Sequence, residues 1–191
     1  AVTDEPYMRI NFLIPNPTLH DWPLDQTEIA HRIAELTVGW SDRLYALLAE
    51  TRGPAVATRL TQYYSEAFAE DYRVATLPSQ ACNDINCLER LTVENPIEVS
   101  LIASTNQPGL YELRIFKRSA GLTLSQIVPL LENIDFEVAT EYTNHLGSFE
   151  NPWAAIYELR VRPRDGAPLN LKHARKILLP NLKLVLTGKA E

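Results

Sequence analysis

Residues 97–104 and 110–118 constrain this chain most tightly. IEVSLIAS and LYELRIFKR each alternate apolar and polar residues, and Thr105-Asn106-Gln107-Pro108-Gly109 between them is turn chemistry. Two period-two runs around such a turn predict an antiparallel β-hairpin. Downstream, Thr123 and Gln126 have capping-box spacing and predict a helix with Ile127, Leu130, Leu131 and Ile134 inward. Pro129 removes one hydrogen bond from it, which is tolerable near the first turn. Phe136, Val138, Thr140 and Tyr142 predict a further strand. Trp153 to Val161 predicts another, after a turn containing Gly147 and Pro152. Leu169 to Leu179 predicts a short helix, which Pro180 ends.

Upstream, Met8, Ile10, Phe12 and Ile14 alternate with Arg9, Asn11 and Leu13, a strand over 7–14 stopped by Pro15-Asn16-Pro17. Asp25, with Glu28 three residues on, starts a helix. Its apolar stripe runs through Ile29, Ile33, Leu36, Trp40, Leu44 and Leu47 as one continuous helix that Gly53 closes. Pro54 opens a second helix carrying Val56, Leu60, Tyr63 or Tyr64, and Ala67. A third runs from Ser79 to Leu91 with Ile85 and Leu88 inward. With the helices of 24–91 counted as one crossover, the order is βαββαβ plus one strand, the ferredoxin-like split βαβ arrangement. The expected fold is α+β: an antiparallel sheet covered by helices on one face, with 24–91 an inserted helical block. Strand 7–14 completes the βαββαβ count and is assigned to this sheet.

Composition excludes several functions. The chain has 191 residues, 46% apolar and 22% charged, enough for a globular core. No apolar run approaches the ~18 residues a membrane span needs. A net charge of −6 argues against a general nucleic-acid surface. Tyr111 and Phe116 are five apart on their strand, so they point to opposite faces and make no RNA-stacking platform. The seven glycines are scattered and form neither a GxGxxG nor a GxxxxGK[ST] loop. His20, His31, His145 and His173 show no HxxxH spacing, and Ser125 and Ser148 lie in no GxSxG elbow. Cys82 and Cys87, five apart, fit small buried thiols in a reduced cytoplasm. The acidic start Ala1-Val2-Thr3-Asp4-Glu5 has no signal-peptide core, and the missing initiator Met suggests a piece of something longer.

No residue is therefore assigned a catalytic, cofactor-binding or metal-ligating role. Trp40, Asp42 and Arg43 are the candidate contact: Trp40 lies on the apolar stripe with a charged pair just behind it. It reads either as an aromatic core anchor or as a docking contact to another domain or subunit, where Trp and Arg are favoured. Lys172, His173, Arg175 and Lys176 form a basic cluster of the kind found at a solvated helix end.

Several runs resemble the large-class NAD-specific glutamate dehydrogenases of bacteria. They are Trp40-Ser41-Asp42-Arg43-Leu44, Gly53, Tyr64-Ser65-Glu66-Ala67-Phe68, Tyr72, Ala81, Asp84-Ile85 and Leu88-Glu89. Arg114-Ile115-Phe116 and Leu124-Ser125-Gln126-Ile127-Val128-Pro129-Leu130-Leu131-Glu132-Asn133 continue the likeness, and Gly188-Lys189-Ala190-Glu191 is similar to the run leading into that family's dehydrogenase domain. The resemblance implies an ACT-like domain over 1–191, with helical block 24–91, a main hairpin-helix-hairpin part over 97–162, and 163–191 as a linker toward a catalytic domain beyond Glu191. It implies a noncatalytic regulatory or oligomerisation segment of a cytoplasmic enzyme that oxidatively deaminates L-glutamate to 2-oxoglutarate and ammonium. NAD would serve the parent enzyme, with no cofactor in this segment. Partners would be its other domains and subunits in a homo-oligomer, and an amino-acid effector, with neither nucleic acid nor membrane. Amino-acid-binding ACT domains carry a glycine after the first strand; Pro15-Asn16-Pro17-Thr18 stands there instead, which turns the expectation toward subunit contacts. The alternative is a free-standing ACT-type amino-acid-sensing or protein-interaction module.

Overall fold

The structure, a computed structural model, describes residues 38–104, 107–119, 121–147 and 152–188. The predicted strand 7–14, the helix start at Asp25 and the stripe residues Ile29, Ile33 and Leu36 lie outside them. Helix α1 spans Trp40–Arg52 and buries Leu44 and Leu48. The predicted continuous helix is broken before it: Val38 and Gly39 are not helical, and Gly39 has ψ 157°. Glycine is disfavoured inside a helix by about 1 kcal/mol, so an unbroken apolar stripe does not guarantee an unbroken helix. Gly53 ends α1 at φ 81°, a region that glycine enters without strain, and its N–H donates to the Ala49 carbonyl at 3.0 Å. Pro54 then starts α2, Pro54–Ala67, where its missing N–H removes nothing. Helix α3, Glu70–Ala75, was not predicted; six residues with Tyr72 as the one buried anchor are too short for a periodic signal. Helix α4 is Pro78–Leu88, slightly shorter than the predicted 79–91.

Four antiparallel strands follow: β1 Ile97–Ala103, β2 Tyr111–Arg118, β3 Phe136–Gly147 and β4 Pro152–Pro163, in the order β1-β2-β4-β3. The predicted hairpin pairs in register from Ile97↔Lys117 to Ala103↔Tyr111. Helix α5, Leu124–Glu132, joins β2 to β3, and the Gln126 side chain accepts from the Thr123 N–H at 3.0 Å as its spacing predicted.

The order of the strands makes the fold. β2 and β3 are each antiparallel to β4, hence parallel to each other, and α5 crosses between them with β4 inserted. That is a split βαβ unit, and the α+β, ACT-like four-stranded sheet of the sequence reading is present. Its connectivity differs from the expectation. The position between β2 and β3 is filled by β4, residues 152–163, and the second helix on that face is C-terminal. Among the described residues, the helical block precedes the sheet and does not interrupt a crossover.

That C-terminal helix, α6, comprises Leu171–His173, a π segment Ala174–Leu178 and Leu179–Leu186. Pro180 does not end it. The proline has no N–H, and its ring crowds the carbonyl four residues back. The π segment relieves this by bonding the Leu179 N–H to the Ala174 carbonyl, five residues back. Much of the stretch expected as a linker over 163–191 is therefore folded, and Ala174, Leu179 and Leu182 enter the core.

The helices cover both faces of the sheet, where coverage of one was expected. Odd positions of β2 (Tyr111, Leu113, Ile115) pack with Ile127 and Leu131 of α5 and Leu179 and Leu182 of α6. Phe116, Leu146, Ala154 and Ile156 pack on the opposite side with Leu44, Leu60, Tyr64, Phe68, Tyr72 and Ile85 of the helical block. Tyr111 and Phe116 do point to opposite faces, as their five-residue spacing requires.

Candidate functional site

The helical block meets the sheet through a buried ionic cluster. Asp84 lies on the apolar stripe of α4 among Ala81, Ile85 and Leu88, and it is 0% exposed. Arg114 sits between Leu113 and Ile115 on β2, faces the helical block, and is 4% exposed. Its Nη1 pairs with Asp84 Oδ2, and its Nη2 lies 3.0 Å from Glu158 Oε2 of β4 and 4.0 Å from Glu112 Oε2. The Tyr72 hydroxyl donates to Asp84 Oδ2 at 2.6 Å, and Gln80 Nε2 donates to Asp84 Oδ1 at 2.9 Å. Four elements thus converge on one carboxylate–guanidinium pair: α3, α4, β2 and β4.

Burial pushes the Asp84 carboxyl above its ordinary range, against the pull of Arg114, Tyr72 and Gln80. Burial also works against the charge of Arg114, but Asp84 and Glu158 more than offset it and hold the guanidinium above its usual value. Buried opposite charges stabilise little over an apolar isostere, yet losing one member strands the other in low dielectric. The cluster therefore acts as a latch: the helical block is registered on the sheet with every member present.

An aromatic column stands over the latch. Tyr72 stacks on Phe68 with centroids 4.1 Å apart, and Phe68 meets Trp40 edge-on at 6.2 Å. The Trp40 indole N–H donates to the Thr76 carbonyl at 2.8 Å, tying the start of α1 to the end of α3. Trp40 is half-buried and serves as an anchor, while Asp42 and Arg43 stand exposed one turn along α1. Cys82 and Cys87 are free thiols, and burial pushes Cys87 up to about 11. The predicted basic cluster is exposed, and Arg175 within it donates to the Leu101 carbonyl of β1 through Nη2 at 3.2 Å.

The latch had a sequence signal that periodicity alone passes over. Asp84 and Arg114 are opposite charges placed on otherwise apolar stripes, one helical and one extended. Single buried-face charges of opposite sign in two elements are candidates for a pair.

Beside the latch, a cleft of about 430 Å³ opens between α3 and the β3–β4 pair. Tyr72 and Glu158 line it as well as belonging to the latch. Among the described residues no helix is long and apolar enough to cross a membrane.

Comparison with known proteins follows the same division. Residues 47–91 match the family described as glutamate dehydrogenase, helical motif 2, and residues 96–174 match the glutamate dehydrogenase ACT3 domain. The boundary falls between the end of α4 and the start of β1. An NAD-specific glutamate dehydrogenase of Pseudomonas aeruginosa is 22% identical over 185 residues, covering 96% of this chain and 11% of that protein. One from Halomonas elongata is 23% identical over 169 residues, 87% of this chain and 10% of that protein. One from Mycobacterium tuberculosis is 26% identical over 182 residues, 88% of this chain and 11% of that protein. The chain spans about a tenth of the length of the curated relatives it matches, 10–11%. Over these two consecutive stretches, the chain resembles the helical motif 2 and ACT3 portions of NAD-specific glutamate dehydrogenases.

Proposed function

We propose that this chain is a noncatalytic assembly and regulatory segment of an NAD-dependent glutamate dehydrogenase. The parent reaction is the oxidative deamination of L-glutamate to 2-oxoglutarate and ammonium in the cytoplasm, with NAD⁺ as hydride acceptor bound elsewhere in the enzyme. The observation that carries the reading is the succession of helical motif 2 over 47–91 and ACT3 over 96–174, in that order. The partners are the other domains and subunits of a homo-oligomer, with an amino-acid effector as the signal relayed. In domain terms, the helical part of the described residues is fixed to the ACT-like sheet by the Asp84–Arg114 latch.

Two surfaces suit subunit contacts. Among the described residues the outer edge of β3, twelve residues long, has no partner strand, and an open edge is a template for pairing with another chain. The opposite edge, β1, is occupied by the Arg175 contact at Leu101. Asp42 and Arg43, anchored by Trp40, offer the second surface.

An antibody raised to this chain and used to capture its native antigen tests the reading. A large polypeptide that reduces NAD⁺ when given glutamate supports it. An antigen of about this chain's own 21.6 kDa, without that activity, overturns it in favour of a free-standing sensor.

A further inference from the structure

A cavity of about 490 Å³ lies at the outer edge of β1, between α4 and α6. Two arginines line it, Arg90 just beyond α4 and Arg175 of α6. Among the described residues no carboxylate does, in a chain of net charge −6. The guanidiniums are held in place but not used up. Arg90 Nη2 donates to Cys87 Sγ at 3.2 Å, and its Nε lies 3.6 Å from Glu98 Oε2. Arg175 donates to the Leu101 carbonyl through Nε and Nη2. The Nη1 group of each has no partner among the described residues. Glu98 does not cancel Arg90, because Lys183 Nζ holds its other oxygen at 2.7 Å.

Neutral donors join the two cations. β1 pairs with β2 through its even positions: the Pro96 carbonyl accepts from Arg118, and the Ser104 N–H donates to the Leu110 carbonyl. The odd positions therefore aim their backbone groups outward, where Arg175 meets the Leu101 carbonyl, and the Leu101 N–H points the same way. Asn86 lines the cavity with its Oδ1 accepting from Arg52, which leaves its Nδ2 hydrogens free. The Asn83 amide has no partner among the described residues. Val99 and Leu179 add an apolar wall.

The chemistry of the lining selects the ligand. Two cations, several N–H donors and no carboxylate disfavour a cation or a zwitterion and favour an anion. A phosphate monoester carries about −1.5 to −2 charge near neutral pH and three strong acceptor oxygens, which suits two guanidiniums. A carboxylate offers one charge and two oxygens. The apolar wall, and a volume well beyond that of a phosphate group, leave room for an esterified carbon body. We propose that this cavity binds a phosphate monoester, its phosphoryl oxygens between Arg90 and Arg175 and its carbon body against Val99 and Leu179. Gln80 lines the cavity and also donates to Asp84, so the site borders the latch without sharing its charges. It lies at β1, across the sheet from the open edge of β3, and its binding does not depend on the assembly reading.

The test is a titration of the ¹⁵N-labelled chain followed by its amide resonances, with phenyl phosphate as the probe. Benzoate, the same ring bearing a carboxylate, and inorganic phosphate, without a carbon body, are the comparisons. Each is added to about 10 mM, roughly tenfold above a millimolar affinity, at fixed ionic strength. Phenyl phosphate is expected to give saturable shifts confined to residues 83–90, 99–102 and 175–179. It should bind roughly tenfold tighter than benzoate, and severalfold tighter than inorganic phosphate. Its affinity should rise between about pH 5 and about pH 7, as the second phosphate proton leaves with a pKa of about 6. Arg90→Ala and Arg175→Ala, both at exposed positions, should each weaken binding roughly tenfold through the loss of a charge-assisted hydrogen bond. Arg162→Ala, an exposed arginine of β4 that does not line the cavity, should leave binding unchanged. Absence of saturation, benzoate or inorganic phosphate binding as tightly as the ester, or undiminished binding in Arg90→Ala and Arg175→Ala overturns the site. None of these outcomes bears on the antibody capture, so the assembly reading stands or falls separately.

Discussion

Tyr72 and Arg114 hold the same oxygen, Oδ2 of Asp84, from opposite elements: one from a six-residue helix, the other from a central strand. The shared oxygen makes the contribution of each dependent on the other. Asp84→Asn removes the charge that Arg114 was buried against, and should destabilise the chain by about 3 kcal/mol in urea unfolding. Tyr72→Phe should lose about 1 kcal/mol on its own. The two changes together should lose less than their sum. Strict additivity would mean that the three side chains are not one unit. Replacing both charges with apolar residues, Asp84→Leu with Arg114→Met, should recover most of the loss that Asp84→Asn alone produces.

Acid should loosen α6. Glu98 of β1 accepts from Lys183 Nζ and Asn95 Nδ2, each at 2.7 Å. Burial works against its charge, but those partners prevail and hold its carboxyl below the usual glutamate range. A carboxyl lowered on folding binds fewer protons in the native state. Its stabilisation is complete above the unfolded value of about 4.3 and is lost as pH falls through the lower native value. The protection of amides in 179–186, relative to their intrinsic exchange rates, should therefore fall on acidification below about pH 4. Glu98→Gln should abolish that acid step while raising exchange at neutral pH. An acid response unchanged in Glu98→Gln would assign the loosening to other carboxylates.

Gly147 closes β3 at φ 96°, and a Cβ built there would lie 2.9 Å from Trp153 Cδ1. Both the backbone conformation and the neighbouring ring oppose a side chain. Gly147→Ala should cost about 2 kcal/mol or more in thermal or urea unfolding, with a change in tryptophan emission as the Trp153 ring is displaced. A neutral effect would show that the end of β3 relaxes without strain.

The local elements of this fold were legible because each carries its own signal. The hairpin alternation, the Thr123–Gln126 box and the Gly53-Pro54 junction each specify a backbone choice within a few residues. What periodicity could not rank was the pairing of distant strands. Ala154, Ile156 and Ala155, Tyr157 make β4 apolar on both faces, the mark of a central strand, yet the count of strands leaves it as one strand beyond βαββαβ. A strand buried on both sides needs cover on both, and the second helical layer supplies it. Pro180 reads as a stop by sequence, whereas the π segment supplies the room that keeps the helix going. Asp84 and Arg114 each carry a signal, a charge on an apolar stripe, but they are thirty residues apart and only the packed structure pairs them. Trp40 meets the Thr76 carbonyl, thirty-six residues away, a contact its stripe does not signal.

The two edges of the sheet differ in how they are guarded, and that asymmetry can be tested. Arg175 Nη2 and Nε reach the Leu101 carbonyl at 3.2 and 3.4 Å, placing a cation on the outer side of β1. A charged side chain over an edge carbonyl disfavours pairing with another strand. Arg175 is exposed and contributes little to the core, so Arg175→Ala should change stability by less than about 1 kcal/mol. Its effect should appear in association instead. Sedimentation velocity at rising concentration should show more self-association in Arg175→Ala than in the parent chain. Arg175→Lys, which keeps the charge, should behave as the parent. Equal sedimentation of Arg175→Ala and the parent chain would mean that the packing of α6, and not its arginine, keeps β1 from pairing.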